Sequence, residues 1–255
     1  MKDSSDLRRF LDGWPYDPAN DLRVVRGDDG RELLHVRTPL GVEQHEVDGR
    51  PDGRRPHEVE SELEHQLARL AEAKAAGEEA GFGISAEDCA ELFNEGVLYY
   101  YRYVRFLQLK DWPRTARDTA RNLRMFDLVR RYAERAEDRA QLEQWRPYVL
   151  RMNSVARAMI ALDNRQHEAA RKIVAEAVEG IESLPEMDNP TFQFERARSL
   201  TALRDLAKQI ERSRPLSELE RLQQQLQKAV QAEQFERAAE LRDRIRILQT
   251  QAGVS

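Results

Sequence analysis

The sequence is short of cysteine and of long apolar runs. Cys89 is the single cysteine among 255 residues, which excludes an intrachain disulfide, a cysteine zinc cluster and a Cys-x-x-Cys redox pair. The segment 1–10 has no apolar core of a signal peptide, and no later stretch approaches the length of a membrane span. These absences predict a soluble protein that resides in the cytoplasm and has no membrane partner.

An excess of positive charge is missing too. Lysine and arginine together number 41 against 46 aspartates and glutamates, so the formal net charge is −5, while charged residues make up 34% of the chain. A globally basic nucleic-acid binder is therefore disfavoured, and the balance of charges favours helices with solvated faces.

Recognisable catalytic motifs are also absent. The sequence has no G-x-x-x-x-G-K-[ST] phosphate loop and no G-x-S-x-G nucleophile turn. His57 begins a His-Glu run without a second histidine at i+4; His65 could share its helix face, but two exposed histidines explain the spacing more simply. Cys89 has no histidine beside it, which favours a buried structural thiol. We therefore predict a non-enzyme with no cofactor and no metal site, and keep catalysis by His35 or His45 as a third hypothesis.

The N-terminal region differs from the rest of the chain because it carries strand signals. Residues with high strand propensity, separated by Gly-containing turns, predict a small antiparallel β meander. The predicted strands span 22–26, 31–37 and 42–47. So small a sheet buries little by itself, and we expect it to pack on the helices or on Trp14 and Tyr16.

From Pro56 onward the periodicity is helical, so the predicted fold class is mainly α. The turns at 109–116, 162–169 and 232–238 resemble one another, and the hairpins are similar in style to tetratricopeptide repeats without their regular period. The predicted helices of the body span 85–109, 115–136, 142–162, 167–184 and 192–210. The predicted parts are a β meander with its connector at 1–55, an amphipathic helix and linker at 56–84, a helical-hairpin body at 85–214 and a C-terminal α-hairpin at 215–255.

Four arginines recur at helical spacing after Pro113, and we call them the arginine face. They are Arg114, Arg117, Arg121 and Arg124. Such a row could contact nucleic acid or another polyanion. A solvated helix face, interleaved with Asp118 and Asp127, is the simpler explanation of the same spacing.

Aromatic residues crowd the segment from Tyr99 to Tyr103, and Phe106 follows one turn later. Four tyrosines within five positions cannot share one helix face, so some of them must be partly exposed. They could form a groove for a peptide or ligand. Packing against a neighbouring hairpin is favoured, because tyrosine suits half-buried helix contacts.

The C-terminal segment carries the most specific pattern in the chain. Apolar residues recur at helical spacing on both sides of a turn near 232–234, and Ser217 with Glu220 forms a capping box. The apolar positions are Leu219, Leu222, Leu226, Phe235, Ala238, Leu241, Ile245 and Leu248. Two short helices with one apolar stripe each bury little surface alone, so such a hairpin tends to pair with something else.

This segment resembles the UvrB/UvrC (UVR) motif, most closely between Glu233 and Leu248, where Phe-Glu-x-Ala-Ala is combined with Leu-Arg-Asp. The resemblance implies a protein–protein docking module. In UvrB the hairpin docks the matching segment of UvrC, and related copies occur in regulators and partners of Clp-type protease systems. The apolar positions named above would form the partner-binding face, although intramolecular packing or homodimerisation could also cover them.

The sequence therefore predicts a bacterial-type adaptor or scaffold that docks a partner, or a second copy of itself, through this hairpin. The alternative is a nucleic-acid-associated accessory factor in excision repair that uses the arginine face. The chain lacks the P-loop motor of UvrB and the nuclease half of UvrC, which favours association over repair chemistry.

Overall fold

The computed structural model describes residues 7–214 and 218–252, and it is mainly helical with one small sheet. The chain divides into two compact units, Met1–Lys208 and Gln209–Ser255. The predicted fold class is confirmed: an N-terminal antiparallel sheet precedes helices, and a helix pair closes the chain.

The N-terminal sheet has three antiparallel strands in chain order. They are β1 (Leu22–Arg26), β2 (Glu32–Thr38) and β3 (Gly41–Glu46). The predicted strands agree with these bounds to within one residue. Leu34 and Val47 pack on Phe106, so the sheet rests on the helical body. Trp14 is also buried, and its carbonyl oxygen accepts a hydrogen bond from Arg37 Nε at 2.7 Å.

Eight helices precede the C-terminal pair in the described part of the chain. They are α1 (Arg8–Asp12), α2 (Glu62–Ala75), α3 (Ala86–Gln108), α4 (Trp112–Tyr132), α5 (Ala136–Glu143), α6 (Arg146–Asp163), α7 (His167–Glu182) and α8 (Pro190–Ser213). Four of them begin at side-chain caps: side-chain oxygens accept from backbone N–H groups three residues ahead, and the capping residues are Ser61, Ser85, Asp111 and Asn189. Helix α3 packs on α4, α4 on α6, and α6 on α7.

The largest departure from the predicted helix bounds lies between α4 and α6. The sequence pattern predicts a helix over 115–136 and another over 142–162, whereas α4 ends at Tyr132 and α5 intervenes. Ala133 leaves the helical conformation and pairs with Ile84 in an isolated parallel bridge. The backbone N–H of Glu134 donates to the Ile84 carbonyl at 3.1 Å. This long-range pairing ends the helix, and no helix-breaking residue near Ala133 predicts that end from the sequence.

The C-terminal unit contains a hairpin of two helices, α9 (Glu218–Gln231) and α10 (Phe235–Ala252). They are joined by the predicted turn. The predicted capping box lies outside the described residues, since neither Ser217 nor the side chain of Glu220 is among them.

The hairpin turn is a Schellman motif. The N–H of Gln234 donates to the carbonyl of Ala229 at 2.8 Å, and the N–H of Glu233 donates to the carbonyl of Val230 at 3.1 Å. Glu233 has φ = 57°, in the left-handed region that such a turn requires and that glycine usually occupies.

The same turn recurs twice in the body with a non-glycine left-handed residue, at Lys110 (φ 57°) and Arg165 (φ 59°), with equivalent hydrogen bonds. A further copy, with Gly77 (φ 76°) as the left-handed residue, ends α2. After Lys110, Arg165 and Glu233 the next helix begins two residues later. The internal likeness of the three turns is thus real, but Lys110 is equivalent to Arg165, which shifts the alignment proposed from sequence by two residues. The buried small residue five positions after each left-handed residue is Thr115, Ala170 or Ala238.

Candidate functional site

The apolar stripes of α9 and α10 face each other and form the core of the hairpin. Buried residues of this seam are Leu222, Ala229, Ala238, Leu241 and Ile245, with Leu219, Leu226 and Leu248 partly buried against them. Among the residues predicted to bind a partner, Phe235 is the one that stands outside the seam. The others are occupied within the hairpin itself, and they hold the two helices together through apolar burial.

Phe235 and Val230 are exposed, and we call the pair the turn surface. Phe235 is 71% exposed and Val230 is 52% exposed, and they flank the turn at the start of α10 and the end of α9. Sequence reasoning placed Phe235 among the apolar positions of the two helices and did not single out Val230. The burial of Ala229 shows that Val230 points outward.

The equivalent positions of the two non-glycine body turns are covered. Leu107 and Leu162 occupy the place of Val230, and Trp112 occupies the place of Phe235; all three are half-buried. The hairpin therefore leaves uncovered two apolar positions that the same turn covers elsewhere in this protein.

Charged side chains of both signs surround the turn surface. Lys228, Glu233, Glu236 and Arg237 are all exposed within a few residues of it. An apolar centre with a polar rim is the usual anatomy of a protein interface. The rim carries two charges of each sign, so it gives no net attraction for a polyanion.

The arginine face is engaged within the chain. Arg114 pairs with Glu32 of β2, and Arg117 donates to Asp48 Oδ1 at 2.7 Å. Arg121 pairs with Glu95, and Arg124 lies 3.4 Å from Glu64. These contacts join α4 to the sheet, to the connector, to α3 and to α2. Each of the four arginines therefore has a carboxylate partner, and the role of this face toward nucleic acid stays a prediction.

Glu95 is a buried junction that sequence reasoning missed. Its carboxylate accepts from the backbone N–H of Glu62 at 2.8 Å and from Arg50 Nη1 at 3.1 Å, in addition to its pair with Arg121. Burial lowers the pKa of Arg121 to about 9. No spacing rule singles out Glu95 in a chain with 46 acidic residues, since its partners lie far away in sequence.

Arg102 forms a second buried junction. Its Nε and Nη2 donate to the two carboxylate oxygens of Asp118 at 2.7 and 2.9 Å. Its Nη1 donates at 2.8 Å to the carbonyl oxygens of Glu46 and Gly49. One guanidinium thus ties α3 to α4 and to the end of the sheet. Asp118 is consequently buried and does not belong to a solvated face.

The surroundings of the single cysteine and of four histidines can be described from the structure. Cys89 is buried as predicted, and burial raises the pKa of its thiol to about 11.

The rings of His57 and His65 stack with their centroids 3.9 Å apart, although His57 lies before α2 and not on it. His35 lies within 3.1 Å of the Gln44 side-chain oxygen, and His45 lies 3.7 Å from Glu43. In the described part of the chain, no three His, Cys, Asp or Glu side chains cluster suitably for a metal ion.

The tyrosine segment divides between core and surface. Tyr99, Tyr103 and Phe106 are buried in the body, as the packing explanation predicts. Tyr100 and Tyr101 remain exposed and line a cavity of about 360 Å³. The ring of Tyr100 lies 6.1 Å from that of Tyr148 on α6, which places it against the neighbouring hairpin.

Comparison with known proteins identifies the C-terminal hairpin. The family model described as the UvrB/uvrC motif matches residues 217–251, which confirms the resemblance seen in the sequence. No curated protein and no solved structure matches the chain. Over residues 7–214 and 218–252, no helix has the length and apolar character needed to cross a membrane.

Proposed function

We propose that this protein is a non-catalytic adaptor or scaffold whose UVR hairpin docks a protein partner or a second copy of itself. The observation that carries the proposal is the turn surface: Phe235 and Val230 stay exposed although the same turn positions are half-buried in the body. Burying a phenylalanine side chain contributes roughly 1.5–3 kcal/mol, so a partner gains from covering it.

The turn surface suits docking better than the seam does. Seam residues such as Leu222 and Leu241 are already buried between α9 and α10, and a partner could reach them only after the hairpin had opened. Phe235 requires no opening. A central aromatic anchor with a polar rim is also the arrangement in which few residues carry most of the binding free energy.

The arginine face is left out of this proposal. Its members are already paired with Glu32, Asp48, Glu95 and Glu64, so a phosphate would have to replace these partners. Salt-dependent DNA or RNA binding that is lost in the double variant Arg117→Glu/Arg121→Glu would support the alternative, a nucleic-acid-associated accessory factor in excision repair.

The first prediction concerns Phe235. We expect Phe235→Ala to weaken association by roughly 30-fold, because a central aromatic anchor contributes about 2 kcal/mol or more. Affinity purification from the source cell identifies the partner, and analytical ultracentrifugation measures self-association. The matched control is Phe194→Ala, since Phe194 is 62% exposed but lies outside the hairpin.

Two comparisons complete the experiment. Removing residues 215–255 should abolish the same interaction, whereas Leu241→Ala should weaken it through loss of hairpin structure, visible as reduced helical circular dichroism. Phe235→Ala should leave the circular dichroism unchanged. The proposal would be refuted if the truncated chain kept both the oligomeric state and the interaction partners of the full-length protein.

A further inference from the structure

An aromatic cavity lies in the helical body, separate from the hairpin. It has a volume of about 360 Å³ and is lined by side chains of α3, α4, α5, α6 and α8. This volume lies within the range of about 300–1,000 Å³ that is typical of small-molecule sites. Tyr100, Tyr101, Tyr148 and Trp145 contribute to its walls. Flat aromatic walls favour a flat aromatic guest through offset or edge-to-face ring contacts.

The cavity also contains a buried carboxylate with an unused acceptor. Glu195 is only 6% exposed, and its Oε2 has no hydrogen-bond partner. The nearest cations are Arg151, at 3.7 Å from Oε2, and Arg198, at 3.7 Å from Oε1. Both distances exceed those of a hydrogen bond. A buried acceptor without a donor is unfavourable, so a ligand that supplies an N–H or O–H group would be stabilised there.

The charges around Glu195 indicate an uncharged ligand. Arg151 and Arg198 already oppose the Glu195 carboxylate, so an added cation would lie near two guanidinium groups. An added anion would lie beside the carboxylate and would lack a donor for Oε2. A neutral molecule with one donor satisfies the acceptor without either repulsion.

We propose that this cavity binds an uncharged, planar aromatic molecule of one or two rings whose N–H or O–H group donates to Glu195 Oε2. The aromatic walls bury the ring system, and the carboxylate selects the donor. Ligand binding in this cavity does not depend on the UVR hairpin or on its docking function. An experiment can therefore refute either proposal without affecting the other.

Indole and benzofuran form a matched pair of probes, because they have the same shape and differ in a ring N–H against a ring oxygen. Titration of the full-length protein by calorimetry, with ligand-observed NMR as a second readout, should give saturable binding of indole at one site. Benzofuran should bind about tenfold or more weakly, since a hydrogen bond to a charged acceptor is lost.

Two variants locate the binding. Tyr100→Ala should weaken both probes, while the matched control Tyr16→Ala should change neither, since both tyrosines are 40% exposed and Tyr16 is not part of the cavity wall. Glu195→Leu should remove the preference for indole over benzofuran. If Glu195→Leu fails to fold, the comparison of the two probes on the unaltered protein still decides.

Three outcomes would overturn the proposal. They are the absence of saturable indole binding, equal affinity of the unaltered protein for indole and benzofuran, and unchanged indole binding in Tyr100→Ala.

Discussion

Individual arginines hold distant parts of the chain together. Arg102 connects α3 with Asp118 on α4 and with two carbonyl oxygens near the end of the sheet, at Glu46 and Gly49. Both members of the ion pair are almost fully buried. Such a pair adds little net stability over an apolar replacement, yet removing one partner leaves the other charged and buried. Its consequence is a fixed position of the sheet on the body.

The second prediction concerns this pair. Arg102→Met should lower the free energy of unfolding by about 3–5 kcal/mol, because Asp118 would be left as an uncompensated buried charge. Urea unfolding followed by circular dichroism measures the change. Arg124→Met is the matched control: its ion pair with Glu64 is exposed, and its loss should cost at most about 1 kcal/mol. Equal effects of the two substitutions would contradict the assignment of a structural role to Arg102.

Local sequence signals such as caps determine where some helices begin, whereas tertiary contacts determine where others end. Ser85 caps α3 at the predicted start of the helix, and its hydroxyl accepts from the N–H of Asp88 at 3.1 Å. Ala133 shows the opposite case, since its pairing with Ile84 ends α4 where the periodicity predicts continued helix. A cap is a property of neighbouring residues, whereas the Ala133 bridge depends on a strand-like segment almost fifty positions away.

The recurring Schellman turn is the clearest element-scale feature. The copies at Lys110, Arg165 and Glu233 place a long polar side chain at a left-handed position, where a Cβ atom costs conformational free energy. These three turns therefore form without the glycine that occupies the left-handed position at Gly77.

The third prediction follows from that geometry. Arg165→Gly should raise the free energy of unfolding by about 0.5–1 kcal/mol, because glycine adopts φ near 59° without steric cost. Ala175→Gly, at an exposed position within α7, serves as the control and should lower stability by about 1 kcal/mol. Thermal and urea unfolding of both variants provide the measurement. A loss of stability in Arg165→Gly would show that its left-handed conformation carries no strain.

At the scale of the whole molecule, the chain has two compact units with separate cores. Unit 1 has its own apolar core, which includes Leu63, Leu92 and Met125, and unit 2 contains the hairpin seam. A unit with its own core can fold without the other.

The fourth prediction tests this independence. A chain ending at Arg214 should keep the near-ultraviolet circular dichroism and cooperative thermal unfolding of the intact body, with a midpoint within about 2 °C of the full-length value. A chain ending at Arg214 keeps α8 whole, so the truncation removes only the hairpin. Loss of cooperative unfolding in the truncated chain would contradict the division into units.

The hairpin shows how far sequence reasoning reaches toward the site. Periodicity identified the apolar stripes of α9 and α10, but a stripe is equally suited to the neighbouring helix and to a partner. A short turn holds the neighbouring helix at high effective concentration, so Leu222 and Leu241 pack within the hairpin. Phe235, at the edge of the stripe, is left exposed for contact.

The sequence by itself determined the features that depend on neighbouring residues: the strands of the meander, most helix bounds, the buried Cys89 and the UVR motif. Tertiary structure alone decided which partners meet, as in the contact of Arg102 with Gly49 and the approach of Glu195 to Tyr148 in one cavity. The reason is physical. Side-chain periodicity fixes which face of a helix turns inward, whereas the packing of whole helices fixes which distant residue that face will touch.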